Sequence, residues 1–552
     1  VPLRRLCVGL TLTLVLYTLL ASGVAYALPT QPIPTTIDTT EDFKAMGYPD
    51  GRKVTRDLAG NLYVAYRKKY KRDRLTAYHI FVAKSVDNGR SWSVLNQGHP
   101  IETIGGQNQR VPAIAVDSRG TIHVAWYGKD GNQYDSAENQ IKYVQSTDQG
   151  QTWTPWQNIA YVTGYRDQAA WQEHPTLHVD QNDILYVAWE GNDPWYSAAT
   201  QVKLIRSTDG GQSWSLWKNV APSPSNHSRP TIVGNAHDAL YMLAYGRTGN
   251  QQQIIYSRST DGGSSWSKWA SVAPSPVEQR HVSAVTDSQG TLHIVWRQQP
   301  ASFLTRAGFT RPQAKTQINY ATFDGTSWST PVVMRSNQNA AQTFPSIGVV
   351  TNARLPVRSA GQPLYEDTIW IVWSETMGSV DFPNDVLLHG QIYAVAKSAQ
   401  GWSTPLALAT GDGNIYASLA RTGGSAAGNH DGAIDVVWLD NQQSLKQIRF
   451  AQLTNAATGI GAITAPVRRP NGLLRLQPLQ TALLASGVVD APHLLDRGFA
   501  ALRLNPHLAR EMQTLLLIIV IVTGYVLLKF VVSRFFAAAL ARPNGRPQLW
   551  DR

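Results

Sequence analysis

The chain reads as an all-β protein whose main domain is a β-propeller of four-stranded antiparallel blades, followed by a C-terminal transmembrane helix. Three observations in the 552 residues predict this. A strand unit ending in an aromatic recurs seven times, an octapeptide with turn chemistry recurs four times, and one long apolar run stands near the C-terminus.

The strand units are Gly60–Tyr66 (GNLYVAY), Gly120–Trp126 (GTIHVAW), Asp183–Trp189 (DILYVAW), Asp238–Tyr245 (DALYMLAY), Gly290–Trp296 (GTLHIVW), Asp367–Trp373 (DTIWIVW) and Gly432–Trp438 (GAIDVVW). Their alternating apolar pattern is that of half-buried or buried strands. Short strands such as Val111–Val116 precede most copies, and others such as Ile141–Gln145 and Ile254–Arg258 follow them. Four strands per unit, repeated every ~50–75 residues, mark a propeller. Seven blades are expected over residues 36–455, with six blades plus an irregular unit as the alternative. Segment 36–50 is expected to supply a closing strand for the last blade.

The octapeptides are Ser85–Trp92, Ser146–Trp153, Ser207–Trp214 and Ser259–Trp266, of the form S-x-D-x-G-x-[ST]-W. An Asp side chain accepts backbone N–H bonds within a tight turn, and Gly supplies positive φ. The Trp buries a large ring and pins the turn. Asp87, Asp148, Asp209 and Asp261, with Trp92, Trp153, Trp214 and Trp266, are therefore structural residues. Units five and six carry degraded copies at Asp324–Trp328 and Gln400–Trp402. With strands A to D running from the channel outward, the octapeptides occupy C–D turns. The D–A and B–C loops lie on the opposite, upper face.

Outside the repeats the chain carries export and membrane signals. Arg4 and Arg5, an apolar core from Val8 to Leu20 and Ala25-Tyr26-Ala27 form a signal peptide over residues 1–27. Cys7, the single cysteine, falls inside it, so disulfides and thiolate metal sites are excluded from the mature chain. Leu515 to Val532 is long and apolar enough to span a bilayer, interrupted only by Lys529. Arg534, Arg542, Arg546 and Arg552 follow it, which places the tail 533–552 in the cytoplasm and the propeller outside the cell. Residues 456–511, rich in Leu, Pro and Arg, read as a stalk, a membrane-proximal helical collar or a linker. The formal net charge of +11 has a local source in Arg67, Lys68, Lys69, Lys71, Arg72 and Arg74, expected in one solvated loop. Nucleic acid is excluded as a partner, since an exported chain carries no binding motif beside that patch.

The octapeptide resembles the Asp-box, or bacterial neuraminidase repeat, and unit two extends the resemblance to the exo-α-sialidase (neuraminidase) superfamily. Those enzymes carry an Arg-Ile-Pro motif, then a general-acid Asp, then the first Asp-box. Here Arg110-Val111-Pro112-Ala113-Ile114 is followed by GTIHVAW, Asp135 and the box at Ser146. The resemblance implies that Arg110, with Arg229 and Arg280, grips a substrate carboxylate, a task suited to the planar guanidinium. It implies Asp135 as acid/base and Tyr416 as nucleophile, with Glu278 or Glu173 as the base beside it, outside the two-carboxylate pattern of most glycosidases. Two features depart from the family pattern: seven units rather than six, and Tyr127-Gly128-Lys129 where family enzymes carry an arginine.

The function expected is sialidase-like hydrolysis of terminal sialic acid or a related acidic sugar at the cell surface. The alternatives are a non-catalytic propeller binding a glycan or protein, and a scaffold for a membrane-protein partner. No cofactor and no metal are expected: His123 and His293 occupy equivalent strand-B positions, and His174, His227 and His281 lie near strand-A starts.

Overall fold

A computed structural model of the chain describes residues 33–48, 51–131, 138–162, 170–235, 238–248, 251–299, 315–334, 339–359, 362–377, 387, 389–399, 401–409, 411–421 and 433–454. The signal peptide, the segment 456–511, the apolar run 515–532, the basic tail and Asp135 lie outside the described residues. The chain divides into two compact units, Val1–Ala465 and Pro466–Arg552, and every described residue belongs to the first. Among the described residues no helix is long and apolar enough to cross a membrane.

Seven antiparallel sheets form the seven blades of a propeller. The innermost strands are Val54–Arg56, Gln109–Val116, Gln172–Val179, His227–Gly234, Gln279–Thr286, Ala341–Ser359 and Asn414–Leu419. In blades 1 to 6 each is followed outward by its sequence neighbours, so chain order and spatial order agree. Blade 7 differs: its outermost strand is Thr35–Thr40, paired antiparallel with Lys446–Leu453. The first strand of the domain thus completes the last sheet, as segment 36–50 promised, and residues 41–48 are left for another task.

The Asp-boxes behave as the turn chemistry requires. In the first, the Ser85 hydroxyl donates to Asp87 at 2.8 Å and accepts from the Gly89 N–H, while the Ser91 N–H and hydroxyl both donate to the Asp87 carboxylate. The other three boxes repeat this pattern at Asp148, Asp209 and Asp261. The Ser91 hydroxyl bond, with the backbone bonds behind it, holds the Asp87 carboxyl down to about 2. Where the preceding blade's third strand offers an aromatic, the box tryptophan packs edge-on against it. Trp214 meets Tyr143 at 5.0 Å, and the Trp residues of the two degraded boxes do the same, Trp328 on Tyr256 at 5.1 Å and Trp402 on Tyr320 at 4.9 Å. Trp92 meets Phe450 at 5.1 Å across the closing seam between blades 7 and 1. Each such pair contributes roughly 0.5–1.5 kcal/mol beyond the area it buries.

Every inner strand of blades 2 to 7 carries a bulge, seen as a register shift. At each bulge stands one residue with positive φ: Val111, His174, Arg229, His281, Phe344 and Tyr416. Proline follows it in four of the six blades, at 112, 175, 230 and 345. A bulge leaves one residue out of the ladder, which is where a strand tolerates the missing N–H of proline. Arg-Val-Pro is therefore a bulge signature as much as a rim motif. The register places Gly51 at the same position in blade 1.

Two buried arginines cross the axis below these bulges. Arg52 of blade 1 donates from Nη1 to the Ser346 hydroxyl (3.0 Å) and the Leu419 carbonyl (3.3 Å), and from Nη2 to the Ala284 carbonyl (2.9 Å). It thereby ties blade 1 to blades 5, 6 and 7. Arg421 reaches from blade 7 to the Ile232 carbonyl (2.8 Å) and to His178 Nδ1 (3.1 Å), in blades 4 and 3. Burial holds both guanidinium groups below their usual pKa, Arg421 at about 10.

Two expectations need correction. The basic cluster of the first repeat is no loop: it sits in the long hairpin Leu62–Arg72/Leu75–Ser85. Arg67 and Lys68 there are ion-paired to Asp42 and Asp38 of the N-terminal segment, so part of the cluster is spent on holding that segment down. The aromatic ending unit four is displaced by one position. Ala244, not Tyr245, stands in register with Trp189, because Gly246 and Gly191 each pair with the equivalent glutamine of the third strand.

Arg52→Ala removes the charged donor from three oxygens in three blades, of which the Ser346 hydroxyl keeps only the Leu419 N–H. We expect a loss of about 3–5 kcal/mol, given the cost of buried acceptors stripped of a charged partner, measured as a shift of the urea midpoint at unchanged slope.

Candidate functional site

The upper mouth of the channel is built from the bulge residues and the N-terminal segment. Residues 41–48 cross this face, held by the buried Arg67–Asp42 pair and by Lys68 Nζ donating to Asp38 at 3.0 Å. Tyr48 then drops its ring over the axis. It lies 5.6 Å from His174, 6.0 Å from His281, 5.8 Å from Phe344 and 6.3 Å from Tyr416, centroid to centroid. The Arg229 guanidinium covers the same ring at 4.2 Å.

Beside Tyr48 opens a pocket of about 350 Å³ lined by cations and phenols. Lys44 and Tyr48 come from the N-terminal segment, Arg67 and Tyr78 from the blade 1 hairpin, Arg110 and Tyr127 from blade 2, and Arg229 from blade 4. Among the described residues no acidic side chain lines it. Lys44 reports the resulting field. Its ammonium is held below the usual lysine value first by partial burial and then by Arg67 and Arg229, with Asp42 opposing and Arg110 adding to the depression. Arg110 is exposed and has no ion pair among the described residues, whereas Arg229 lies near Glu190, with Nε–Oε1 3.6 Å.

Glu173, His174 and Glu190 form the one group among the described residues with donor atoms close enough for a metal ion. Arg229 Nη1 donates to His174 Nδ1 at 2.9 Å. Burial, reinforced by Arg229, keeps this histidine neutral. An imidazole that accepts at Nδ1 carries its proton on Nε2. That atom faces Glu173 at 3.6 Å and Glu190 at 3.9 Å, so the lone pair a metal needs is absent. The arrangement is a chain of hydrogen bonds and charges that orients Arg229.

The sequence-predicted residues divide into groups. Arg110 and Arg229 are brought together in the pocket, though from different register positions: Arg110 precedes the bulge and Arg229 is the bulge. Arg280 has Arg110's register place in blade 5, but it lies outside the pocket and is ion-paired with Glu278. Tyr416 is the bulge residue of blade 7, 2% exposed, with its hydroxyl accepting the Leu387 N–H at 3.0 Å. Glu173 accepts from Asn139 at 2.6 Å. Neither candidate glutamate is engaged with Tyr416. Asp135 belongs to the undescribed part of the blade 2 B–C loop.

Nothing in the sequence singles out Lys44, Tyr48 or Tyr78, the first two of which lie in the segment expected as a closing strand. Arg67 stands out there only within the basic cluster expected as a solvated loop. The one available signal was the pairing of Asp38 and Asp42 with a basic run in the neighbouring hairpin.

Residues 105–357 match the BNR repeat-like domain family. Solved structures similar to the chain include an ulvan lyase of a polysaccharide lyase family, at 10% identity and TM-score 0.48, covering 75% of this chain and 95% of that one. Others are the Hadza microbial sialidase Hz136 (14% identity, TM-score 0.41, 69% and 74% covered) and the NanB sialidase of Streptococcus pneumoniae (13%, 0.39, 77% and 71%). A search of the curated proteins gave no match.

Because arginines depress Lys44, screening or removing them raises its pKa. Molar salt, which shortens the Debye length to about 3 Å, and Arg110→Gln are each expected to move Lys44 upward. NMR titration of side-chain-labelled lysine checks both.

Proposed function

We propose that the chain is a glycan-binding propeller displayed at the cell surface, whose upper-face pocket takes an acidic sugar. The carrying observation is the convergence of Arg110, Arg229, Arg67 and Lys44 with three tyrosines around one mouth, with no carboxylate among its described lining residues. A carboxylate or sulfate pairs with Arg110 and Lys44, and the phenol rings give the sugar's apolar face and hydroxyls a surface to rest on. The volume lies within the usual range of about 300–1,000 Å³ for small-molecule sites. The match to a BNR repeat-like domain agrees with this reading. Export by residues 1–27 and anchoring by 515–532 complete it: truncation after residue 511 is expected to release the protein from the membrane fraction.

The convergence of Arg110 and Arg229 also favours a second reading, sialidase-like hydrolysis with Asp135 as acid/base. In the described structure Tyr416 lies beneath Tyr48, so this chemistry needs the N-terminal segment to lift. Fluorophore release from a sialoside, abolished in Asp135→Ala, supports hydrolysis; binding without turnover supports the first reading.

Calorimetric titration with N-acetylneuraminic acid and glucuronic acid, beside neutral glucose, tests binding. The acids are expected to bind and glucose not, with affinity falling as salt rises. Arg110→Ala should weaken the acids about tenfold, about 1.4 kcal/mol. Equal binding of acid and neutral sugars, or an unchanged Arg110→Ala variant, refutes the proposal.

A further inference from the structure

Blade 4 departs from blades 2 and 3 at one cross-strand row, and a pocket opens there. In blade 3 the row is Trp189, Lys203 and Asn219, paired side by side. Lys203 Nζ donates to the Gly191 carbonyl (3.0 Å), Asp193 (2.8 Å) and Asn219 (3.0 Å), and lies 5.5 Å from the Trp217 ring. Blade 2 repeats the row as Trp126, Lys142 and Asn158, with Lys142 bonded to Gly128, Asp130 and Asn158 and set 5.5 Å from Trp156. In blade 4 the row reads Ala244, Ile255 and Ser271. All three side chains are smaller, and the buried cation is gone.

The space so vacated is a groove of about 490 Å³ on the blade 4 side of the blade 3–4 connection. His227 lines it in the register place of Gln172, which in blade 3 accepts the Trp189 indole N–H at 2.7 Å. With no tryptophan to bond, His227 has changed role. It is 4% exposed, its Nε2 lies 3.3 Å from the Ser223 hydroxyl, and its Nδ1 has no partner among the described residues. Burial holds its pKa down to about 4, so it stays a neutral donor or acceptor. A buried polar atom left unbonded in a walled groove marks a place for a ligand atom.

The remaining walls define the ligand's chemistry. Trp269 stands 5.0 Å from His227, with its indole N–H donated to the Val220 carbonyl at 3.1 Å. The Trp266 N–H is donated to Gly263 at 3.2 Å. Both polar edges are satisfied, so the rings offer only their faces. Exposed Arg247 and Lys268 supply positive charge, Ser223 and Ser225 supply hydroxyls, and no described lining residue is acidic. Aromatic faces, hydroxyl-bonding groups and cations without carboxylates suit a ring that is apolar on one side, hydroxylated at its edge and anionic at one position. We propose that the groove of blade 4 is a second saccharide site, taking a sugar ring that carries a carboxylate or sulfate, stacked on Trp269. It shares no residue with the upper-face pocket and stands whether or not that pocket binds.

The test uses the purified full-length chain in the Arg110→Ala background, titrated with a glucuronate-containing disaccharide and, separately, with methyl glucoside. The expected result is a shift of the Trp269 indole resonance by the acidic disaccharide, with one site by calorimetry. Transplanting the blade 3 row as H227Q/A244W/I255K/S271N should abolish both. R247A/K268A should weaken the acidic disaccharide at least tenfold and leave methyl glucoside unchanged. If the transplant loses cooperative unfolding, Trp269→Ala decides instead, with loss of binding expected. A Trp269 indole shift that survives the transplant, or an acidic-disaccharide affinity left unchanged by Trp269→Ala, overturns the site. Equal affinity for methyl glucoside overturns its preference for an anion.

Discussion

The pairing of Thr35–Thr40 with Lys446–Leu453 is the contact on which the rest of the molecule rests. Without it blade 7 would end at its third strand, Lys446–Leu453, with that strand's outer N–H and C=O groups unpaired. Hydrogen bonding the first strand of the domain to that strand completes the four-stranded sheet and ties the two ends of the propeller together. It brings Trp92 against Phe450, so the seam carries an aromatic contact like those at several other blade boundaries. It also delivers residues 41–48 to the upper face, where Asp38 and Asp42 dock on Lys68 and Arg67. Closure of the fold and construction of the site are thus one event.

Two consequences of a closed ring shape the interior. Inner strands converge on the axis, and Arg52 and Arg421 span it by donating to the Leu419, Ala284 and Ile232 carbonyls of strands that have no inner neighbour in their sheets. The bulges themselves turn one side chain per blade toward the upper mouth. That ring of positions holds Val111, His174, Arg229, His281, Phe344 and Tyr416. The upper face is varied by substitution at one repeated place, while the lower face is kept constant by the Asp-boxes.

The same economy explains blade 4. Its row Ala244–Ile255–Ser271 replaces a bulky, cationic row present in both preceding blades. Because each blade packs mainly on its neighbours, one blade can lose volume without unmaking the ring. A repeat protein can therefore hold distinct pockets in blades that differ by a handful of side chains.

The amino-acid sequence by itself determined the four-strand order, the Asp-box turns and the placement of loops on two faces, and pointed to seven blades with six left open. These follow from local chemistry: period-2 alternation, Gly at positive φ, and Asp bonding to its own turn. Closure by the N-terminal segment was legible too, since a seven-unit ring needs a strand from somewhere. Tertiary structure alone decided which side chains meet. Arg110 and Arg229 share a pocket and Arg280, in Arg110's register place three blades on, does not: it is ion-paired with Glu278 instead. Tyr48 and Lys44 join the site because ion pairs to a hairpin, far from them in no local pattern, pull the segment across the axis. Ala244 stands where an aromatic was read, because register is set by hydrogen bonding across strands and not by the spacing of aromatics along one. Periodicity is written along the chain; convergence at an axis is a property of the ring.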